Sequence, residues 1–261
     1  IRVFTEENKG AGAARNRGLT EATGKYMLFL DCDDFFEPDM VQLAYGKAEE
    51  QGAEIVIYKS DQYNMDSGEF VYENWAMMEW ALPPYEPFGY RQISTNIFKA
   101  FVGWAWDKLY LRAFVAKNDL KFQEQRTTND ALFVFSALVL AEKISTVRKI
   151  LIHRRVDTAD SLSKTREKSW DNFYRMLLAL RQFLKDREKW NELEKDFVNY
   201  ALHFSLWNYN TLAEPTKTKL RNKLVSEWFE ELGIRQRHKE YFYDEYEYSQ
   251  YEAMLKLQDT P

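Results

Sequence analysis

Cysteine is almost absent: Cys32 is the one thiol in 261 residues. A lone cysteine cannot close an internal disulfide, so the chain is not organised for an oxidising compartment, and a cytoplasmic location is expected. Long apolar runs are missing too. The longest, Ala131 to Ala141, is interrupted by Ser136 and is too short to cross a bilayer as a helix. No basic excess exists. The 36 Lys and Arg are outnumbered by 41 Asp and Glu, for a net charge of −5, which argues against a nucleic-acid binder that works by neutralising phosphates. No signal-peptide pattern opens the chain, because Ile1-Arg2-Val3-Phe4 runs straight into polar residues. These absences predict a soluble protein that could still sit on the inner face of a membrane.

Aromatic residues are plentiful: 18 Phe, 16 Tyr and 8 Trp. Composition alone favours a heavy aromatic core; the functional alternative is flat rings stacking on sugars. The length suits one domain with an appendage, or two small domains.

The opening residues Ile1 to Phe4 read as a short strand. An Ala-rich helix follows over 13–22, closed by Gly24. The run Tyr26-Met27-Leu28-Phe29-Leu30 reads as a strand buried on both faces. A helix is expected from Pro38 to Gln51, with Gly52 just past its end, then a buried strand over Ile55 to Tyr58. This rhythm predicts an α/β architecture with a parallel sheet. Residues 61–100 are less regular, and Pro83, Pro84 and Pro87 mark a loop suited to acceptor contacts. Asp130 opens an apolar helix, and Ile150 to His153 reads as a strand. From Glu167 the pattern changes. Trp170–Leu184, Leu193–Trp207 and Leu220–Leu232 recur at helical spacing, which predicts three amphipathic helices.

The strongest chemical signal is Asp31-Cys32-Asp33-Asp34 at the end of the buried strand. Carboxylates at a strand's C-terminal end face the crevice where open α/β sheets bind ligands. Hard divalent cations take oxygen ligands, and a departing diphosphate needs positive charge beside it. The plainer reading, one helix cap and solvated neighbours, suits one of the three but not the group, since carboxylates repel unless something positive joins them.

Asn8-Lys9-Gly10, then Ala14-Arg15-Asn16-Arg17-Gly18-Leu19, Gly24-Lys25-Tyr26 and Phe29-Leu30-Asp31-Cys32-Asp33-Asp34 together resemble family 2 glycosyltransferases in order and spacing. The resemblance implies a GT-A fold (α/β, Rossmann-like, with a mostly parallel sheet) over residues 1–165, followed by a C-terminal α-helical domain over 166–261. It also implies an inverting transfer from a nucleotide-sugar, a UDP-sugar first, to a glycan, lipid-linked or protein-linked acceptor hydroxyl. Bacterial surface polysaccharide, teichoic acid or protein-linked glycan synthesis is the expected setting. Carried over, Asp31 and Arg15 lie at the donor and Asp33 holds Mn²⁺ or Mg²⁺ on the diphosphate. For Arg15 the competing reading is a surface helix charge.

Further on, Gly103-Trp104-Ala105-Trp106-Asp107-Lys108 precedes Asn129-Asp130, which resembles the segment where a Glu-Asp pair opens a helix and its Asp is the catalytic base. Asp130 matches that Asp; Asn129 stands where the family usually has Glu. A general base suits inversion, which needs one group to take the acceptor proton. Asp also favours a helix N-cap. Trp104 and Trp106 are candidates for sugar stacking, with core packing the plainer role for at least one. His153-Arg154-Arg155 and Ser161-Leu162-Ser163 resemble the stretch that closes over the diphosphate. Arg155 and Ser161 are the donor candidates there. His153 is a candidate metal or phosphate contact, against the commoner structural histidine.

The resemblance begins mid-pattern, so two βα units are expected ahead of Ile1. Two other readings stay open: a nucleotidyltransferase with a similar layout, and a non-catalytic module. The C-terminal helices are candidates for a homo-oligomer interface.

Overall fold

The computed structural model describes residues 1–156, 162–235 and 237–256. Its centre is β3 (Ile55–Asn64), whose first four residues, Ile55, Val56, Ile57 and Tyr58, are almost completely buried. A strand covered on both faces reads as a continuous apolar run, and this one does. Around it the sheet runs β1-β5-β3-β6-β2, with β4 on the outer part of β3. The flanking strands are β1 (Tyr26–Leu28), β2 (Phe35–Phe36), β4 (Phe70–Tyr72), β5 (Lys108–Leu111) and β6 (Ile144–Val156).

The sheet is mixed. Among the described residues only β3 with β6 pairs parallel; β1–β5, β3–β5, β3–β4 and β2–β6 are antiparallel. The expected mostly parallel sheet is corrected on this point. Apolar runs report burial on two faces, while direction is set by chain return, which those runs do not encode. Residues 1–10 form neither helix nor strand, and Ile1 and Val3 are exposed. The expected strand there has no neighbouring strand among the described residues to pair with.

Helix α1 (Ala11–Glu21) precedes β1, and α2 (Met40–Gln51) precedes β3. Gly52 ends α2 in the left-handed conformation at φ 59, which a residue without Cβ adopts freely. Met40, Ala44 and Ala48 of α2 cover one sheet face with Val56, Tyr58, Trp106, Leu109 and Leu151. Short helices α3 (Ile97–Ala100) and α4 (Arg112–Lys117) flank β5. The other face, with Ile55, Ile57 and Tyr110, meets α5 (Ala131–Leu140). That helix is apolar all round because it is enclosed all round.

The C-terminal helices are α6 (Asn172–Asp186), α7 (Trp190–Thr211), α8 (Thr216–Lys223), α9 (Phe229–Glu231) and α10 (Glu245–Lys256), with a π-turn over Leu224–Trp228 joining α8 to α9. Helix α6 packs on α5 and α7 packs on α6. Phe29, Phe133, Leu177 and Phe197 belong to one continuous hydrophobic cluster. No helix among the described residues is long and apolar enough to cross a membrane.

Phe133 is fully buried and its ring meets those of Phe29, Tyr110 and Phe122. Chemical denaturation of Phe133→Ala should show a loss of about 3–5 kcal/mol. The exposed Phe70, replaced by Ala, should stay within about 0.5 kcal/mol of the parent. Equal costs would refute this placement of the core.

Candidate active site

Phe29 is held by the rings of Tyr110, Phe122 and Phe133. The strand run therefore ends at a fixed point, and the chain turns sharply after it, with the Asp34 N–H directed at the Asp31 carbonyl (3.4 Å). The turn gathers Asp31, Asp33 and Asp34 so that one oxygen of each lies within 4.8 Å of the others. Sequence reasoning assigned roles to Asp31 and Asp33 and left Asp34 without one, although its adjacency was the available signal. Burial pushes the Asp34 carboxyl up to about 6. The Arg155 N–H, 3.0 Å from its Oδ1, opposes that shift, and the charges of Asp33 and Asp31 add to it.

Oxygen donors alone, crowded and mutually repelling, suit a hard divalent cation. Asp33 is the most exposed of the three, with Asp31 and Asp34 half-buried.

Arg15 ties this cluster to a second one. Its Nη2 donates to Asp31 Oδ1 and its Nη1 to Asn129 Oδ1, both at 2.7 Å. The side chain is only 13% exposed, so Arg15 is not a surface helix charge. Helix α1 is pressed onto the loop before α5 by two further contacts. Asn16 exchanges hydrogen bonds with the Phe122 carbonyl (3.0 Å) and N–H (2.8 Å). A Cβ on Gly12 would lie 2.0 Å from the Gln123 carbonyl oxygen, so only glycine allows this approach. Thr128, two residues before Asp130, has φ 56, a strained conformation for a β-branched residue.

Asp130 occupies the N-cap position of α5, but its side chain makes no capping hydrogen bond. Burial pushes its carboxyl up; Arg15 pulls it down, Asp31 pushes up, and Lys108 pulls down. The result is a carboxylate more basic than usual with its oxygens not committed to the cap.

The tryptophans are less available than expected. Trp106 is 4% exposed and stacks on Trp104 at 4.6 Å, so it presents no face for a sugar. The Arg154 guanidinium lies over the Trp104 ring at 5.1 Å. It is itself bonded to the buried Glu73 (2.8 Å). With Trp106 on one face and Arg154 on the other, Trp104 is a wall rather than a platform. The free ring beside it is Trp75, edge-on to Trp104 at 5.1 Å and 48% exposed. Sequence reasoning missed it because it stands outside any motif.

Arg155 reaches the acidic cluster through its backbone N–H, while its guanidinium lies 5.5 Å over Phe35. His153 has no free ring nitrogen. Its Nδ1 lies 2.7 Å from Asp61 Oδ1, its Nε2 lies 3.1 Å from Glu37 Oε1, and its ring stacks on Phe35. Two carboxylates already claim the ring, which favours the structural reading of His153 over the metal or phosphate contact. Ser161 lies outside the described residues.

Comparison with known proteins places these residues in context. The family Glycosyl transferase family 2 matches residues 1–114. EpsH of Bacillus subtilis (strain 168) is 25% identical over 86% of this chain and 64% of its own length; the chain thus spans somewhat less than two thirds of that relative. The cholesterol galactosyltransferase of Borreliella burgdorferi is 25% identical over 100% of this chain and 74% of its own. Residues 1–349 of S. aureus TarS, in complex with UDP-GlcNAc, superpose with TM-score 0.52 at 18% identity, over 95% of this chain and 75% of that one. That likeness shows the fold: a GT-A sheet followed by a helical region.

The raised Asp34 carboxyl gives a signed prediction. A folded-state pKa near 6 lies above the unfolded value, so the bound proton favours the fold below that pH, and the contribution is lost as pH rises through it. A cation held by the three aspartates must displace the same proton. Calorimetric titration with Mn²⁺ at pH 5.5, in buffers of different ionisation enthalpy, should therefore show proton release, which is absent at pH 7.5 and absent at both in Asp34→Asn. Buffer-independent heat at pH 5.5 would remove Asp34 from the cation site.

Proposed function

From the match of residues 1–114 to Glycosyl transferase family 2 we propose that the chain is an inverting glycosyltransferase. It moves a sugar from a nucleotide-diphosphate donor to an acceptor hydroxyl. The observation that carries this reading is the Arg15 fork, which joins Asp31 of the acidic cluster to Asn129, the residue before Asp130. Donor acids and base thereby stand on two sides of one guanidinium. A UDP-sugar is the donor to test first, since the TarS structure with the same fold holds UDP-GlcNAc.

Asp31 and Arg15 orient the donor, and Asp33 with Asp34 would hold Mn²⁺ or Mg²⁺. Such an ion supplies positive charge where the leaving diphosphate gathers negative charge. Asp130 takes the proton from the acceptor hydroxyl as that oxygen attacks the anomeric carbon from the face opposite the diphosphate. The new C–O bond forms as the bond to the phosphate oxygen breaks. Its electron pair leaves with the diphosphate, and the anomeric configuration inverts. Burial makes Asp130 a stronger base than a surface carboxylate, and the Arg15 charge opposes that shift. Arg155, whose N–H is bonded to Asp34, is our candidate for the diphosphate contact, which its guanidinium would make by leaving Phe35.

The acceptor is a glycan, free or linked to lipid or protein, approaching along Trp104 and Trp75. Bacterial surface polysaccharide or teichoic acid synthesis on the cytoplasmic side of the membrane fits this chemistry. The domain assignment keeps residues 1–165 for transfer and 166–261 as a helical support, through which a homo-oligomer could form.

Isothermal titration of UDP-GlcNAc, UDP-glucose and UDP-galactose with Mn²⁺ tests the donor site. One of them should bind the parent protein and lose affinity by about tenfold or more in Asp33→Ala. Asp130→Asn should bind that donor as the parent does while turnover falls by about 10²–10⁴-fold. Turnover unchanged in Asp130→Asn would overturn the base assignment.

A further inference from the structure

An ion pair lies buried beneath the site, and the mechanism uses neither partner. Lys108 is 0% exposed and its Nζ lies 2.5 Å from Asp107 Oδ1. The same ammonium donates to the carbonyls of Val102 (3.0 Å) and Trp104 (2.9 Å). All three of its N–H bonds are thus spent. From the next strand, the Tyr58 hydroxyl donates to the Trp106 carbonyl at 3.0 Å, and the Tyr58 N–H to the Asp107 carbonyl at 3.1 Å. Four carbonyls between residues 102 and 107 are therefore fixed from below.

Stability alone does not account for this arrangement. Charges taken out of water are costly, and apolar residues of similar volume usually fill such a space at least as well. The fixed loop has a neighbour that matters. A Cβ on Gly103 would stand 3.0 Å from Ala131 Cβ and 3.1 Å from Phe135 Cζ, so the loop backbone lies directly on the first turn of α5. Asp130 opens that turn. Trp104, on the same loop, meets the exposed Trp75.

We propose that Lys108 is a positioning residue. Its ammonium fixes the 102–107 loop against the first turn of α5, and so sets where Asp130 stands relative to the wall of Trp104 and Trp75. The inference rests on the reading of Asp130 as the base. Lys108 touches no substrate; it acts through the carbonyls it holds.

Two paired variants test it on the full chain. Asp107→Leu/Lys108→Met removes both charges, so no lone ion is left buried, and it removes the carbonyl donors. Asp107→Asn/Lys108→Gln is neutral but still donates to the carbonyls. Deuterium exchange read by mass spectrometry follows peptides over 102–107 and 130–136, with α10 as internal reference. For the Leu/Met pair, exchange should rise by roughly tenfold in both peptides, with α10 unchanged. UDP-GlcNAc hydrolysis with Mn²⁺ should fall by about 100-fold, while donor Kd moves less than about threefold. The Asn/Gln pair should recover most of both losses. Peptide 130–136 protected as in the parent overturns the proposal, and so does an Asn/Gln pair no better than Leu/Met. If the Leu/Met pair does not fold, Asp107→Asn/Lys108→Met, which leaves no lone charge but still removes the donors to the Val102 and Trp104 carbonyls, takes its place, and unchanged exchange over 130–136 is again the overturning result. Asp130→Asn run alongside separates the two ideas: hydrolysis retained there removes the base assignment, whereas the exchange data judge Lys108 alone.

Discussion

The site depends on one planar cation. Arg15 has a fork of donors that lets two acceptors be held at once in fixed directions. Here one acceptor is Asp31, at the end of the strand, and the other is Asn129, at the start of α5. A lysine would offer a point charge and leave the angle between the two segments free. The fork also explains the small residues around it. Gly12 and Asn16 let α1 lie directly against the loop backbone, without which the guanidinium would not reach. An amide at 129, in place of a second carboxylate, takes one hydrogen bond from Arg15 without claiming its charge, which stays available to Asp31 and Asp130.

Around that cation the charged groups are graded by burial. Asp33 is exposed, Asp34 is half-buried and shifted upward, and Asp130 is shifted upward with Arg15 opposing. The Asp107–Lys108 pair below them is sealed off entirely. Burial pushes the Asp107 carboxyl up to about 6 against the pull of Lys108. The outermost carboxylate is therefore open to solution, while the innermost pair reaches only each other and backbone carbonyls.

Local pattern made much of this legible. The runs at 26–30, 55–58 and 131–141, and the helical spacing after residue 167, correspond to β1, β3, α5 and the C-terminal helices. Each is set by neighbours within a few residues. The acidic cluster and Asp130 were visible for the same reason: each closes or opens such an element. What was not visible depends on partners far along the chain. Strand direction followed from where β5 and β6 return, and the partners of Arg15 lie 16 and 114 residues away. His153 read as a possible ligand because Glu37 and Asp61, which enclose it, are distant in sequence. Nothing beside Lys108 in the sequence marks it as buried. For Trp104 and Trp106 sugar stacking and core packing both stayed open, because sequence shows that a ring is present, not which of its faces is covered.

The continuous cluster running from Phe29 through Phe133 to Leu177 and Phe197 bears on motion. Sheet and helical region have no apolar seam along which they could part, so they constitute a cooperative unit. Hinge closure between two bodies, a common way of sealing a reaction from water, would have to tear that cluster. Rearrangement on binding is therefore left to surface residues such as 65–72, while the distance between Asp31 and Asp130 is fixed when the chain folds. The entropy of bringing those groups together is spent in folding rather than in each turnover.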